Sequence, residues 1–120
     1  MKLEDMDFTD VRVDLEHADE IMSRFGLVRA GQWDYERVTY DRKFEIQQHT
    51  FYLRVQGYAA EGDIGGRHAL IQFMTPLLGK HYYPHGVEYG EEENFPSTLV
   101  DQCKRILSQI HSELQSVQAS

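Results

Sequence analysis

The sequence has one cysteine, no long apolar run and few basic residues, and each shortage excludes a class of protein. A single cysteine, Cys103, cannot form an intramolecular disulfide, which indicates a reducing compartment such as the cytoplasm. No stretch approaches the ~18 apolar residues of a transmembrane helix, and residues 1–5 lack the apolar core of a signal peptide. Because 12 Lys and Arg face 20 Asp and Glu, we expect no binding to nucleic acid or to an anionic membrane.

What is present is enough for one folded domain. The 120 residues are 41% hydrophobic and 12% aromatic, which allows a single core. We find no internal repeat, low-complexity tract or linker, so residues 1–120 are interpreted as one domain. The expectation is a cytoplasmic single-domain protein.

The two ends of the chain show helical periodicity. Near the N-terminus the pattern predicts a helix over residues 15–25, with Asp14 as N-cap and Gly26 closing it in left-handed geometry. The C-terminal helix opens after Pro96, where Thr98 and Asp101 resemble a short capping box. Its apolar stripe predicts about five turns and contains Leu99, Cys103, Ile106, Leu107, Ile110, Leu114 and Val117.

Between the helices the apolar residues alternate with period two, as in strands with one buried face. The predicted strands lie within residues 27–33, 38–46, 51–59 and 67–74, and their short connections favour antiparallel neighbours. The sequence therefore predicts an α+β fold. We expect an antiparallel sheet of about four to five strands, with an N-terminal and a long C-terminal helix packed on one face.

Residues 75–96 are too long for an ordinary loop and are rich in aromatic and histidine residues. We expect this loop to fold on itself, with a turn at residues 83–86. A two-residue turn would place Tyr82 opposite Val87 and His81 opposite Glu88. That pairing would bring an imidazole next to a carboxylate.

The chemistry of this segment has two interpretations. A site made of His81, Glu88 and neighbouring Tyr82, Tyr83 and His85 could bind a small molecule or hydrolyse one, with His81 as general base. A metal would need a further ligand such as His49 or His68, so a surface ion pair is favoured and no metal or cofactor is expected.

Cys103 lies on the apolar stripe of the C-terminal helix, where we expect it to be buried, and a buried thiol does not suit a nucleophile. An enzyme is not excluded, but no motif supports one.

The sequence also has more aromatic residues than its predicted core face can use. Tyr52 and Tyr58 face away from the core side of their strand, beside Arg54, and Trp33 and Tyr82 add to the excess. Tyr and Arg are enriched in protein interfaces, so this face suits a binding surface or a homodimer interface. The alternative is that the long loop folds back and covers it.

Three segments resemble the YugN-like family, small uncharacterised proteins of Bacillus-type bacteria. They are residues 33–41, 52–55 and 78–89, and the last is the most distinctive. The resemblance implies a bacterial cytosolic α+β protein of unknown function, and it carries over no catalytic or ligand-binding residue. Our leading hypothesis is a non-enzymatic domain that binds a partner or forms a homodimer. The alternative is a small-molecule-binding or hydrolytic pocket that uses His81 and Glu88.

Overall fold

Two helices and seven strands make up the part of the chain that the structure describes, residues 1–30, 36–64, 68–82, 86–89 and 95–118 of a computed structural model. The helices are α1 (Leu15–Arg24) and α2 (Ser97–Ser116), and a short 3-10 helix spans Glu4–Met6. The strands are β1 (Arg12–Asp14), β2 (Val28–Arg29), β3 (Arg37–Ile46), β4 (His49–Gly62), β5 (Ala69–Phe73), β6 (Leu77–His81) and β7 (Val87–Glu88). The α+β class is confirmed, and the prediction of four to five strands is wrong because the sheet is larger.

The ends of the helices show where local sequence rules suffice. Asp14 caps α1 as predicted, since its side chain accepts a hydrogen bond from the His17 N–H at 2.9 Å. Gly26 follows with a φ of +80°, the left-handed conformation expected of a C-terminal glycine. The predicted capping box of α2 is wrong. The helix already begins at Ser97, so Thr98 lies inside its first turn, and Pro96 occupies the cap position without a side-chain hydrogen bond.

Strand β4 is the centre of the sheet. Along one edge its residues 49–58 pair with β3, and along the other edge it pairs first with β6 and then with β5. Every pairing is antiparallel, with β1 outside β5, β2 outside β3 and β7 outside β6. On this second edge the neighbour of β4 changes from β6 to β5. The change lies between Arg54, which pairs with Leu77 of β6, and Gly57, which pairs with Phe73 of β5.

The additional strands are short and depend on pairing with distant segments. β1, β2 and β7 have only two or three residues, too few for a period-two pattern to be visible in the sequence. The N-terminal residues also join the sheet, because Lys2 bridges Leu77 and the Leu3 N–H donates to the Pro76 carbonyl at 2.9 Å. Residues 1–3 therefore extend the outer edge of β6.

The core lies between the helices and one face of the sheet. Alternate residues of β3 and β4 are buried there, as the pattern predicted, together with the apolar stripe of α2. Buried members from the central strands and the helices are Val38, Tyr40, Phe51, Leu53, Val55, Ile71, Leu78, Met22, Leu99, Leu107 and Ile110. We call the opposite side of the sheet the open face. Its positions on the central strands are Thr39, Asp41, Lys43, Tyr52, Arg54, Gln56, Tyr58, Gln72, Leu77, Gly79 and His81.

Candidate functional site

The β6–β7 hairpin has a different register from the one expected. Lys80 pairs with Glu88 and His81 pairs with Val87, so the predicted pairing of His81 with Glu88 is wrong. The Tyr82 N–H donates to the Gly86 carbonyl at 3.4 Å, which leaves three residues rather than two between the paired positions. A shift of one residue moves a side chain to the other face of a sheet, so His81 and Glu88 point to opposite sides.

This register removes the basis for a hydrolytic pair. His81 lies on the open face, where its ring meets the edge of the Tyr52 ring with the two centroids 6.5 Å apart. Among the residues that the structure describes, no three His, Cys, Asp or Glu side chains lie close enough to hold a metal ion. Three predicted site residues, Trp33, Tyr83 and His85, lie outside the described residues.

Cys103 is buried in the core, as its place on the apolar stripe of α2 predicted. Burial raises the pKa of its thiol to about 12. A thiol with such a pKa is protonated at neutral pH and is a poor nucleophile. The residue therefore acts as a small apolar side chain of the core.

Arg54 lies on the open face, as predicted, but its charge is already paired. Its Nε and Nη2 donate to the two carboxylate oxygens of Asp41 at 2.8 and 2.9 Å, and the hydrogen bond to Asp41 raises the pKa of the guanidinium. The carbon at the centre of the guanidinium is 5.0 Å from the centroid of the Tyr89 ring. Such a bidentate, stacked arginine is fixed in place.

Tyr89 covers part of the open face. Its hydroxyl is buried without a hydrogen-bond partner among the described residues, and burial raises the pKa of this phenol to about 12. The loop thus covers the open face near Arg54 and Tyr52, which is part of the alternative considered above. Tyr58 and Met74 stay exposed, at 44% and 39% of their surfaces.

A groove opens on this face at the junction of β5 and β6. Residues 74–76 connect the two strands, so the side-chain rows of the sheet are interrupted beside Gln56. The resulting concave space has a volume of about 540 Å³. Its walls contain Lys2, Thr9, Gln56, Tyr58, Gln72, Phe73, Met74, Thr75 and Leu77.

Gln72 forms one wall and is the buried polar residue of the described part of the chain, with 8% of its surface exposed. Its Nε2 donates to the carbonyls of Thr9 at 2.8 Å, Phe73 at 3.0 Å and Val11 at 3.3 Å. These bonds fix the orientation of the amide, so its oxygen faces β1 and accepts a hydrogen bond from the Arg12 Nε at 2.8 Å. A buried amide with both ends satisfied is a rigid element.

A smaller cavity of about 270 Å³ lies at the opposite end of β5, lined by Asp14, Glu61, Gly62, His68, Ala69 and Leu70. The Asp14 carboxylate is already engaged there, because it caps α1 and contacts the His17 Nδ1 at 2.6 Å. We therefore take the groove as the candidate site. Its polar atoms and apolar walls suit binding, and among the described residues it contains no acid–base pair for catalysis.

The strand periodicity of the sequence places Tyr58 on the surface, but it does not reveal the groove. Arg12, Gln72 and Met74 reach the open face only because β1 pairs with β5 and because β4 changes neighbours beyond Gly57. Both features are long-range pairings, which no local pattern predicts. One local signal was present, since Gln72 is the single polar residue within the apolar run of β5.

Comparisons with known proteins agree with this fold. The model of the YugN-like family matches residues 5–110. The chain is 54% identical to the uncharacterised protein YlbA of Bacillus subtilis over 98% of both chains, and 24% identical to the uncharacterised protein YugN of the same organism over 62% of this chain and 55% of that one. A crystal structure of YugN from Geobacillus kaustophilus superposes with a TM-score of 0.85 at 54% identity, covering 98% of this chain and 97% of that one. The helices of the described residues include none long and apolar enough to span a membrane. The chain belongs to the YugN-like family.

Proposed function

We propose that this protein is a non-catalytic binding domain whose groove at the β5–β6 junction holds a small organic ligand. The observation that carries the proposal is the groove itself, which has a volume of about 540 Å³. Ligand pockets in proteins commonly have volumes of about 300–1,000 Å³. The groove is therefore of a suitable size for a metabolite.

The composition of the walls supports this proposal. Phe73, Met74 and Leu77 supply apolar contacts, and the exposed ring of Tyr58 can stack on a flat ligand. Gln56 and Thr75 have side-chain polar atoms for which the described residues provide no hydrogen bond. A few polar groups among apolar walls are typical of sites that orient a small molecule.

The proposal is tested with a fluorescent probe and two matched variants. Anilinonaphthalene sulfonate (ANS) binds apolar sites and its fluorescence rises on binding. Gln56→Trp places an indole in the groove, whereas Gln109→Trp makes the same substitution on the exposed side of α2. We expect saturable ANS binding to the wild type and to Gln109→Trp, and a loss of at least about tenfold in affinity for Gln56→Trp, since a filled groove excludes the probe.

Both variants must keep the cooperative unfolding transition and the melting temperature of the wild type, because ANS also binds loosened cores. Equal affinity of ANS for folded Gln56→Trp and Gln109→Trp would contradict binding in the groove. Absence of saturable ANS binding to the wild type would also count against it.

A second candidate function is self-association, because two large side chains on the wall of the groove, Tyr58 and Met74, are exposed. A second copy of the chain would then cover the open face as a homodimer. Sedimentation equilibrium tests this directly. We expect a dimer that Tyr58→Arg dissociates, and a wild-type protein that stays monomeric at about 100 μM would exclude a stable dimer.

We also propose a cytoplasmic location. The support is the buried, unpaired thiol of Cys103, which is typical of proteins in a reducing compartment.

A further inference from the structure

We propose that the ligand of the groove is an organic anion and that Arg12 binds its charged end. This inference rests on the proposed function, because it names the class of ligand for the same groove. It is carried by the contact between Arg12 and Gln72, in which a buried amide fixes an exposed guanidinium beside the groove wall.

The guanidinium of Arg12 is held by the protein at its Nε only. Its Nε donates to the Gln72 Oε1 at 2.8 Å, and Gln72 is itself held by three backbone carbonyls. The two Nη groups make no hydrogen bond to the described residues, and no carboxylate among those residues pairs with Arg12. Four N–H donors therefore stay available in a planar fork that matches the two oxygens of a carboxylate or a phosphate.

The contrast with Arg54 shows that this arrangement is not common to the whole face. Arg54 donates to both oxygens of Asp41 and lies against Tyr89, so its charge is neutralised within the chain. The charge of Arg12 is not neutralised by any carboxylate of the described residues. An unpaired arginine anchored by a buried glutamine is what a site for an anion requires.

The surroundings of the groove favour negative charge in the ligand. None of the described residues that line it is an Asp or a Glu, although the whole chain has a net charge of −8. The nearby Asp7 is held by the backbone N–H and the hydroxyl of Thr9, both at 2.9 Å. In a row across four strands, the paired positions are Arg12, Gln72, Tyr58 and Arg37, which places an arginine on each side of the central pair.

The apolar walls specify the remainder of the ligand. Met74 and Leu77 lie on the groove side of this row and Tyr58 is part of it, so a molecule in the groove whose anionic group reaches past Gln72 to Arg12 would place its body against these three side chains. The class is therefore an amphipathic organic anion with an aromatic or aliphatic body. Binding at equilibrium is all that this geometry performs, and no bond is made or broken.

The test compares a charged probe and a neutral probe that share their aromatic rings. ANS has a sulfonate, and N-phenylnaphthylamine has the same ring system without it. Arg12→Gln removes the fork, and Arg105→Gln removes the same charge from the exposed side of α2. We expect Arg12→Gln to weaken ANS binding about tenfold, since a charge-assisted hydrogen bond is lost, while Arg105→Gln leaves it unchanged.

The variants and the neutral probe together distinguish failure of this inference from failure of the proposed function. If Arg12→Gln binds ANS as tightly as Arg105→Gln does while Gln56→Trp abolishes binding, the groove is a ligand site and the anion inference is wrong. If wild-type protein binds the neutral probe as tightly as ANS, the anion inference is again wrong. If Gln56→Trp binds both probes normally, the proposed function fails and this inference fails with it.

Competition assigns the charged group and needs only the wild-type protein. Octanoate and octyl phosphate present a carboxylate and a phosphate on the same chain, and octanamide presents a neutral amide. We expect at least one of the two anions to displace ANS with at least tenfold greater potency than octanamide, and the stronger anion identifies the headgroup. Equal potency of all three competitors would overturn the inference.

Discussion

The ring of Tyr89 lies over Gly79 and occupies the space that the side chain of any other residue at position 79 would need. A Cβ built on Gly79 would be 2.5 Å from the Tyr89 Cε1 and 2.7 Å from the Val87 Cγ1. The absent side chain therefore lets the Tyr89 ring cover this end of the open face and lie against Arg54.

Gly79→Ala is expected to destabilise the fold. The methyl group must displace the Tyr89 ring or the backbone of β7, and such overpacking costs about 1–3 kcal/mol. Urea denaturation measures the free energy of unfolding. Gly86→Ala is the matched control, because a Cβ at Gly86 meets no atom within 4 Å. Equal stabilities of the two variants would show that Tyr89 does not occupy this place.

The two arginines of the open face should differ in their effect on ligand binding rather than on stability. Arg54→Gln breaks the bidentate pair with Asp41, which is half-buried, and should lower the free energy of unfolding by about 1 kcal/mol. Arg12→Gln takes the hydrogen bond away from the buried Oε1 of Gln72 and should lower the free energy of unfolding by a similar amount, about 1 kcal/mol. ANS titration should separate the two variants, with the larger loss of affinity in Arg12→Gln. A larger loss of affinity in Arg54→Gln would transfer the binding role to Arg54.

Stability should fall at alkaline pH because of Tyr40. Its hydroxyl donates to Asp19 Oδ1 at 2.7 Å, and burial together with this hydrogen bond raises the pKa of the phenol. In the unfolded chain the phenol ionises near pH 10, so its contribution is complete below about pH 10 and is lost as pH rises. We expect Tyr40→Phe to reduce the decline of the unfolding free energy above that pH by up to about 1.4 kcal/mol per pH unit. Tyr58→Phe, at an exposed position, is the control and should leave the slope unchanged.

Cys103 should react with thiol reagents only after the core opens. The side chain is fully buried and its pKa is raised to about 12, so little thiolate is present near pH 8. We expect dithionitrobenzoate to modify the native protein at a rate set by opening of the structure, and to react within seconds in 6 M guanidinium, as about 1 equivalent of thiol. Rapid modification of the native protein would show that α2 does not bury this residue.

The strongly periodic elements could be predicted from the sequence. The stripe from Leu99 to Leu114 and the cap at Asp14 depend on residues within a few turns of each other, and both were confirmed. The alternation along β3 and β4 correctly assigned Tyr40 to the core and Tyr58 to the open face. These signals are local, so local rules recover them.

Long-range pairing decided the features that the sequence analysis missed. The turn at residues 83–86 suggested a two-residue loop, but packing of Tyr89 over Gly79 favours a register shifted by one residue. That shift separates His81 from Glu88 and removes the predicted pair. Likewise, Arg12 meets Gln72 only because a three-residue strand pairs with β5. No periodic pattern marks a strand of that length.

The most direct test of a ligand site in the groove is a map of amide chemical shifts. Titration of the ¹⁵N-labelled protein with octanoate should shift the amides of the groove, those of Tyr58, Phe73, Met74 and Thr75, together with the side-chain Nε–H of Arg12. The chemical shifts of amides on the outer side of α2, such as those of Arg105 and Gln109, should not change. Saturable shifts confined to the groove are the predicted result. Shifts centred on the β6–β7 hairpin or spread over α2, with the groove amides unchanged, would contradict the account.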